Sequence, residues 1–422
     1  MNVEKFIAGR ISNTRENKGN ISRPIVKIGI IGITTGVAVM LLTVSIVLGF
    51  KKEIIKRITG LTTHIVINST SMNASNEPEP ITLSADTIAL LKQLPHIKHI
   101  QATAFKNGLL KTDTENEGIL LKGVSRDYDF TFLKKHIVAG RLPVFPDDRS
   151  SLDIFVSEAL SNKLGLKVDE RILVHFIIRH QVMDEEENVM VTKSEQRSRK
   201  FTICGIFKTD FADFDNQLSI VDLRQIQRLN YWDSTMAGNY EIKLRDFKKV
   251  DGAVENVQEI LGYNYEVNSV KDIYNNIFVW LDKLDINGVI IVVLMIIVAT
   301  INMITALLIL ILERTNMVGL IKALGMSNAH VRRIFLLVSL RLTGRGLLWG
   351  NIIGICLCLI QYYFKIARLD SATYYVDHVA LDINWFYFLV LNAGTFLVCA
   401  MMLFIPTLII ARITPIKTLK FD

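Results

Sequence analysis

The chain has 422 residues, 50% of them hydrophobic and 21% charged, with a formal net charge of +7 at pH 7 and a mean hydropathy of +0.32. Four stretches carry no charged residue: 28–50, 286–312, 346–364 and 383–411, of 23, 27, 19 and 29 residues. Each can cross a bilayer, because roughly 20 helical residues span about 30 Å of hydrocarbon, and a purely soluble enzyme is excluded.

The charge is unevenly divided. Residues 1–27, 313–345 and 412–422 together carry +11, whereas 51–285 carries −3 and 365–382 carries −1. The positive-inside rule places the three basic stretches in the cytoplasm and the two acidic ones outside. The basic excess is thereby explained as topology, and nucleic acid is not needed as a partner.

In chain order, 1–27 is a cytoplasmic N-terminal segment and 28–50 is transmembrane helix 1. That helix reads as a retained anchor, since its apolar run is too long for a signal peptide and Gly49-Phe50-Lys51-Lys52 offers no small-residue cleavage site. The external domain, 51–285, reads as mixed α and β. Strands are predicted at 63–67, 118–124, 171–178, 201–207 and 240–244. Helices are predicted at 86–94, ended by Pro95, at 157–164 with a capping Ser157 and a terminating Gly165, and at 247–261, ended by Gly262.

Residues 183–200 hold five acids and four bases between two strand candidates, as expected of a protruding hairpin tip. A solvated loop and a partner-docking protrusion are both compatible with that composition. The histidines, His96, His99, His175 and His180, are scattered and lack a third ligand for a metal. Cys204 is the one external cysteine, with Cys356, Cys358 and Cys399 inside spans, so no external disulfide is available. That usage fits a bacterial inner membrane.

Beyond the domain come transmembrane helix 2 at 286–312, a cytoplasmic connection at 313–345, helix 3 at 346–364, an external loop at 365–382, helix 4 at 383–411 and a cytoplasmic tail at 412–422. In the connection, Val318, Ile321, Leu324 and Met326 supply an apolar side while Arg314, Lys322, Arg332 and Arg333 supply charge. Such a helix would lie along the membrane face and stop near Gly325. A partner gripping it could move both flanking spans. Gly32 and Gly36 in helix 1, and Gly346, Gly350 and Gly354 in helix 3, have the spacing that lets helices approach closely, either within one chain or between subunits. Arg341 and Arg345 sit where they can snorkel to lipid phosphates. No GxxxxGK[ST] loop occurs, so the chain cannot bind and split ATP by that route.

The run Glu313-Arg314-Thr315-Asn316-Met317-Val318-Gly319-Leu320-Ile321-Lys322-Ala323-Leu324-Gly325-Met326-Ser327 resembles the coupling-helix signature of the FtsX/MacB-like ABC transporter permeases. Ser22-Arg23-Pro24-Ile25-Val26, Leu48-Gly49-Phe50-Lys51-Lys52-Glu53-Ile54 and Arg412-Ile413-Thr414-Pro415-Ile416-Lys417-Thr418-Leu419 resemble the lipoprotein-releasing LolC/LolE branch in its Bacteroidetes-type form. The resemblance implies an α-helical membrane protein with four transmembrane helices, one plus three, and a large α+β periplasmic domain of MacB core type. It implies a non-catalytic subunit in the bacterial inner membrane, with ATP and Mg on a separate ABC ATPase and no cofactor on this chain.

The resemblance further implies ATPase coupling through Glu313, Arg314, Gly319, Leu320, Lys322, Ala323, Leu324 and Gly325, a second permease subunit, the same or homologous, and acylated lipoprotein cargo. Phe201-Thr202-Ile203-Cys204-Gly205-Ile206-Phe207 matches the strand after the branch's carrier-docking Hook, which places that loop at 183–200 with Val189, Val191, Lys193 and Arg197. The segment has no proline and an acidic start, unlike the Hook. An FtsX-like regulator of a cell-wall hydrolase and a MacB-like efflux or peptide-resistance subunit are the alternative readings.

Overall fold

The computed structural model describes residues 3–12, 22–70, 77, 79–112, 115–184 and 189–407. The chain opens with α1 (Val3–Ser12) and α2 (Ser22–Thr62), followed by β1 (Ile65–Ser69), α3 (Ala85–Gln93), β2 (Ile97–Lys111) and β3 (Asn116–Val124). Next come α4 (Thr131–Lys134), β4 (Ile137–Gly140), β5 (Asp153–Ser157), α5 (Glu158–Leu164), β6 (Arg171–Asp184) and β7 (Val189–Phe207). Then follow α6 (Ala212–Asp215), β8 (Leu218–Asp222), α7 (Leu223–Leu229), β9 (Asn239–Leu244), α8 (Val250–Leu261), β10 (Tyr265–Ser269) and α9 (Val270–Ile273). The chain continues through α10 (Asn275–Glu313), α11 (Thr315–Ala323), α12 (Asn328–Phe364), α13 (Ser371–Tyr374), α14 (Trp385–Met402) and α15 (Phe404–Thr407).

Two compact units result. One is helical, comprising Met1–Lys52, Trp280–Arg368 and His378–Asp422; the other is α+β, comprising Glu53–Val279 and Leu369–Asp377. Among the described residues, four helical stretches are long and apolar enough to cross a membrane: Lys27–Thr62, Asn275–Glu313, Asn328–Phe364 and Trp385–Pro406.

In the helical unit, Gly346, Gly350 and Gly354 of α12 pack on Ile33, Val37 and Leu41 of α2. A Cβ added at these glycines would lie 2.7, 2.7 and 2.9 Å from the three side chains in turn. Thr34 Oγ1 donates to Gly346 O across the same seam at 3.3 Å. Gly32 and Gly36 serve a second seam, against Asn302 and Ala299 of α10. Asn351 of α12 and Asn392 of α14 each donate an amide N–H to the other's oxygen, at 2.6 and 2.8 Å. Each is thus satisfied without water, as hydrocarbon requires.

The helices overrun the charge-free stretches. The boundaries 28–50, 286–312 and 346–364 mark where charge begins, but charge only excludes a residue from hydrocarbon and does not end a helix. α2 therefore starts at Ser22 and continues to Thr62, α10 starts at Asn275, and α12 starts at Asn328 inside the 313–345 connection. α14 ends at Met402, and residues 408–422, including the tail at 412–422, lie outside the described residues.

The α+β unit is built on a ten-stranded sheet in the order β10-β1-β9-β2-β3-β8-β5-β7-β4, with β6 pairing with both β2 and β7. One core joins β1, β2, β9 and β10 to α3 and α8 through Ile67, Ile100, Tyr240, Ile242, Leu91 and Val257. A second joins the other strands to α5 and α7 through Leu121, Val156, Phe176, Ile203, Leu160 and Ile226. Ser157 accepts from the Leu160 amide at the start of α5, and Gly165 ends that helix in the left-handed region at φ +67°.

Two boundaries of this unit need correction. Within 183–200, expected as a hairpin tip, the strands run further than predicted: Met183 and Asp184 pair with Met190 and Val189, and pairing continues to Leu173↔Lys200. The strand bonds are backbone bonds, so polar side chains on both faces hide them from a hydrophobic pattern. The unit also includes Leu369–Asp377, which the sequence division left in a separate external loop at 365–382. Tyr375 stacks on Phe211 with centroids 5.0 Å apart, and Asp377 accepts from Arg57 at 3.1 Å.

Replacing Gly350 with valine should lower the stability of the detergent-solubilised chain by about 1–3 kcal/mol, since the added atoms meet Val37 and the Thr34 carbonyl. Gly344→Ala, where an added Cβ meets nothing within 4 Å, should instead raise it by roughly 0.5–1 kcal/mol. Thermal melts of the two variants would test the seam, and equal shifts would contradict it.

His64 provides a pH probe. Its Nδ1 accepts from the Leu244 amide at 2.9 Å, and burial, aided by the nearby Lys243 charge, pulls its pKa from 6.5 down to about 4. The folded state favours neutral imidazole, so this contribution is fully present above pH 6.5 and is lost as pH falls toward 4. It amounts to about 3 kcal/mol by proton linkage. His64→Asn keeps an acceptor near the same place, and its melting temperature should fall less than that of the natural chain between pH 6.5 and 4.5. Parallel pH profiles would contradict this role.

Candidate functional site

The connection between the second and third long helices is a short helix with two unlike sides. α11 runs from Thr315 to Ala323, Leu324 caps it, and Gly325 leaves it at φ +96°. Val318 and Gly319 are buried, and Met317, Ile321 and Met326 pack against the helical core. Leu324 departs from the predicted apolar side: it is 80% exposed, and Leu320 is 53% exposed. One turn apart, the two leucines share the side opposite Val318, and α11 ends before Leu324 can turn back toward the core.

The charged groups flank this apolar knob. Glu313 is exposed, and Arg314 occupies the N-cap position of α11. Arg314 Nε and Arg332 Nε are buried without a hydrogen-bond partner among the described residues. Burial, together with the nearby Arg332, lowers the pKa of Lys322. Ala323 and Gly325 are exposed beside the leucines. A contact the sequence did not reveal joins α1 to α12: Glu4, 6% exposed, lies 3.5 Å from Arg333 and 3.8 Å from His330.

The second predicted site is a two-stranded arm. β2 pairs with β6 only at Leu173, Val174 and His175, while β6 and β7 pair onward to Asp184↔Val189. Val189, Val191 and Lys193 pair with Asp184, Val182 and His180 through the backbone; their side chains lie outside the described residues. Arg197 belongs to the base of the arm. Its guanidinium lies 4.3 Å from the Tyr231 ring centre, its Nε donates to Glu195 at 2.9 Å, and Tyr231 donates to the same carboxylate at 3.0 Å.

Two of the histidines have local partners. His99 Nε2 lies 2.7 Å from Asp127 O, and His175 Nδ1 lies 2.7 Å from Ser198 Oγ. Among the described residues, no three His, Cys, Asp or Glu side chains are grouped to hold a metal. Burial raises the Cys204 thiol to about 12, which leaves it un-ionised at neutral pH.

A third constellation anchors the end of α2 in the sheet. Lys122 of β3, 1% exposed, donates to Leu61 O and lies 2.6 Å from Glu241 of β9. Gln101 donates to the other Glu241 oxygen at 2.8 Å and accepts from the Asp129 amide at 3.0 Å. Burial alone would raise the Asp129 carboxyl, but bonds from Lys243 and Thr131 outweigh it and hold the group well below its usual range. One turn or so earlier on α2, Arg57 bonds to Thr209 O, Asp377 and Glu53 and lies 3.5 Å from Asp210.

The chain is similar to known proteins over most of its length. Residues 28–260 match the MacB-like periplasmic core domain, and residues 289–415 match the FtsX-like permease C-terminal. The lipoprotein-releasing system transmembrane protein LolC of Xylella fastidiosa is 22% identical over 408 residues, 93% of each chain. The corresponding LolE of Haemophilus influenzae is 22% identical over 457 aligned positions, covering all of both chains. The periplasmic region of MacB from Actinobacillus actinomycetemcomitans aligns at 13% identity and a TM-score of 0.35, over 53% of this chain and 97% of that one. With one profile spanning more than half of its length and the other most of the remainder, the chain belongs to the ABC transporter permeases that join a MacB-like periplasmic core domain to an FtsX-like permease C-terminal.

Proposed function

We propose that the chain is the membrane subunit of an ATP-driven machine that releases acylated lipoproteins from a bacterial inner membrane to a soluble carrier. The observation that carries the coupling part is α11, a short helix whose Leu320 and Leu324 stand exposed while Val318 and Gly319 fix its other side to the helical core. A groove on a separate ATPase that receives the leucine pair can push α11, and through it α10 and α12. ATP and Mg are held by that partner. Two permease subunits, the same or homologous, share one pair of ATPases. Support for lipoprotein as cargo comes from relatives named for lipoprotein release that correspond over nearly the whole chain. The arm, 183–200, would meet the carrier.

Leu320→Arg combined with Leu324→Arg should weaken association with the ATPase at least about tenfold, the effect of losing an apolar anchor, without unfolding the chain. Lys322→Glu should also impair coupling. Copurification from native membranes with cargo export in the same cells measures both, and wild-type assembly and export in these variants would contradict the lever. Capture of a cell-wall hydrolase on the arm, with normal lipoprotein sorting, would move the chain to the FtsX-like regulatory reading.

The topology that goes with this function has its own measurement. Cysteines introduced at 370–378 and 183–200 should be labelled from outside intact cells, and those at 316–328 should not. External labelling at 316–328 would invert the assignment.

A further inference from the structure

The two faces of the sheet differ in chemistry. On β9, Tyr240 and Ile242 face the apolar core, while Asn239 and Glu241 take the alternate face. That second face borders a cavity of about 540 Å³ within the α+β unit, beside Leu61 and Thr62 at the end of α2. A space this size lined by buried charges does not remain dry and empty.

The wall is built for a cation with an apolar stem. Phe105, Leu120, Phe214, Ile273 and Tyr274 supply apolar surface. Lys122 is the one cation on the wall, against the carboxylates of Glu241, Asp213 and Glu266. Glu241 is already satisfied by Lys122 and Gln101. Asp213 and Glu266 are exposed at the rim, and neither joins an ion pair among the described residues. Asn239 is 5% exposed. Its oxygen accepts from Thr103, and its amide N–H groups find no acceptor among the described residues. Asn239 lines the cavity, so an acceptor placed there can take those donors.

We propose that this cavity is a binding site for a basic side chain of an extended polypeptide, with the ammonium or guanidinium at Asp213 and Glu266, the aliphatic stem along Phe214 and Ile273, and a peptide carbonyl accepting from Asn239. Tyr274 reports the same field: burial, followed by the charges of Glu241 and Asp213, raises its pKa. The site requires neither ATPase nor lipoprotein, and it stands or falls separately from the transport function.

The full chain in phosphatidylcholine nanodiscs can be titrated calorimetrically with acetyl-Gly-Ala-Arg-Ala-Gly-amide and with the same peptide carrying citrulline, the neutral isostere. The arginine peptide should bind, and the citrulline peptide should bind at least about tenfold more weakly, because charge-assisted hydrogen bonds are roughly twice as strong as neutral ones. Asp213→Asn with Glu266→Gln should cost the arginine peptide about the same factor while leaving the melting temperature unchanged, since both residues are exposed. Ile273→Trp should exclude the peptide by filling the cavity. Equal binding of the two peptides, no binding of either at millimolar concentration, or undiminished binding by the double variant would overturn the proposal.

Discussion

A helix of 41 residues that ends against a sheet must dispose of its last carbonyls, and Lys122 is how this chain does it. The terminal turn of any helix leaves carbonyl groups without an amide partner and with partial negative charge. Here one of them, on Leu61, is buried. An ammonium satisfies the carbonyl, but an isolated buried ammonium costs several kcal/mol, and Glu241 supplies the opposing charge. Glu241 in turn requires Gln101, and Gln101 the Asp129 amide. One end of one helix thus commits side chains of three strands, β2, β3 and β9, to a polar face.

That commitment sets a polar patch beside the apolar cluster of Leu61, Val124 and Tyr128 on this face of the sheet. β1, β2 and β9 send apolar side chains into the core with α3 and α8 and polar ones to the other face. Arg57 extends the same logic along α2. Its guanidinium is shared among the loop after β7, the Leu369–Asp377 segment and Glu53 on its own helix. Segments far apart in sequence are held by a single planar cation, whose several donors suit such sharing.

Much of this was legible in the residues, for definite reasons. Charge-free stretches reveal the four long apolar helices, because helices able to cross hydrocarbon carry no unpaired charge at their centre, and Ser157 with Gly165 reveals α5 because capping is local chemistry. What depended on distant partners was not legible. Nothing near Arg57 or Lys122 signals that either is buried, since the acceptors come from residues 61, 209, 241 and 377. The arm was read as a hairpin tip between shorter strands, because its many charged residues leave backbone pairing without an alternating trace. At α11 the helix and its terminating Gly325 were readable, but Leu324 was assigned inward. An apolar residue on a membrane-associated helix has two apolar destinations, the core and a partner, and periodicity alone does not separate them.

The glycine seam between α2 and α12 has a mechanical consequence. Three successive turns of one helix receive three successive turns of the other, at Ile33, Val37 and Leu41. Gears meshed at three teeth do not creep: a slip of one residue would drive each side chain into backbone, and the next open register is a whole turn away, about 5.4 Å. Thermal motion cannot divide such a displacement into small steps, so the pair is bistable or it is rigid. A displacement of α12 along its axis therefore carries α2 with it, as through a rod and not through a spring.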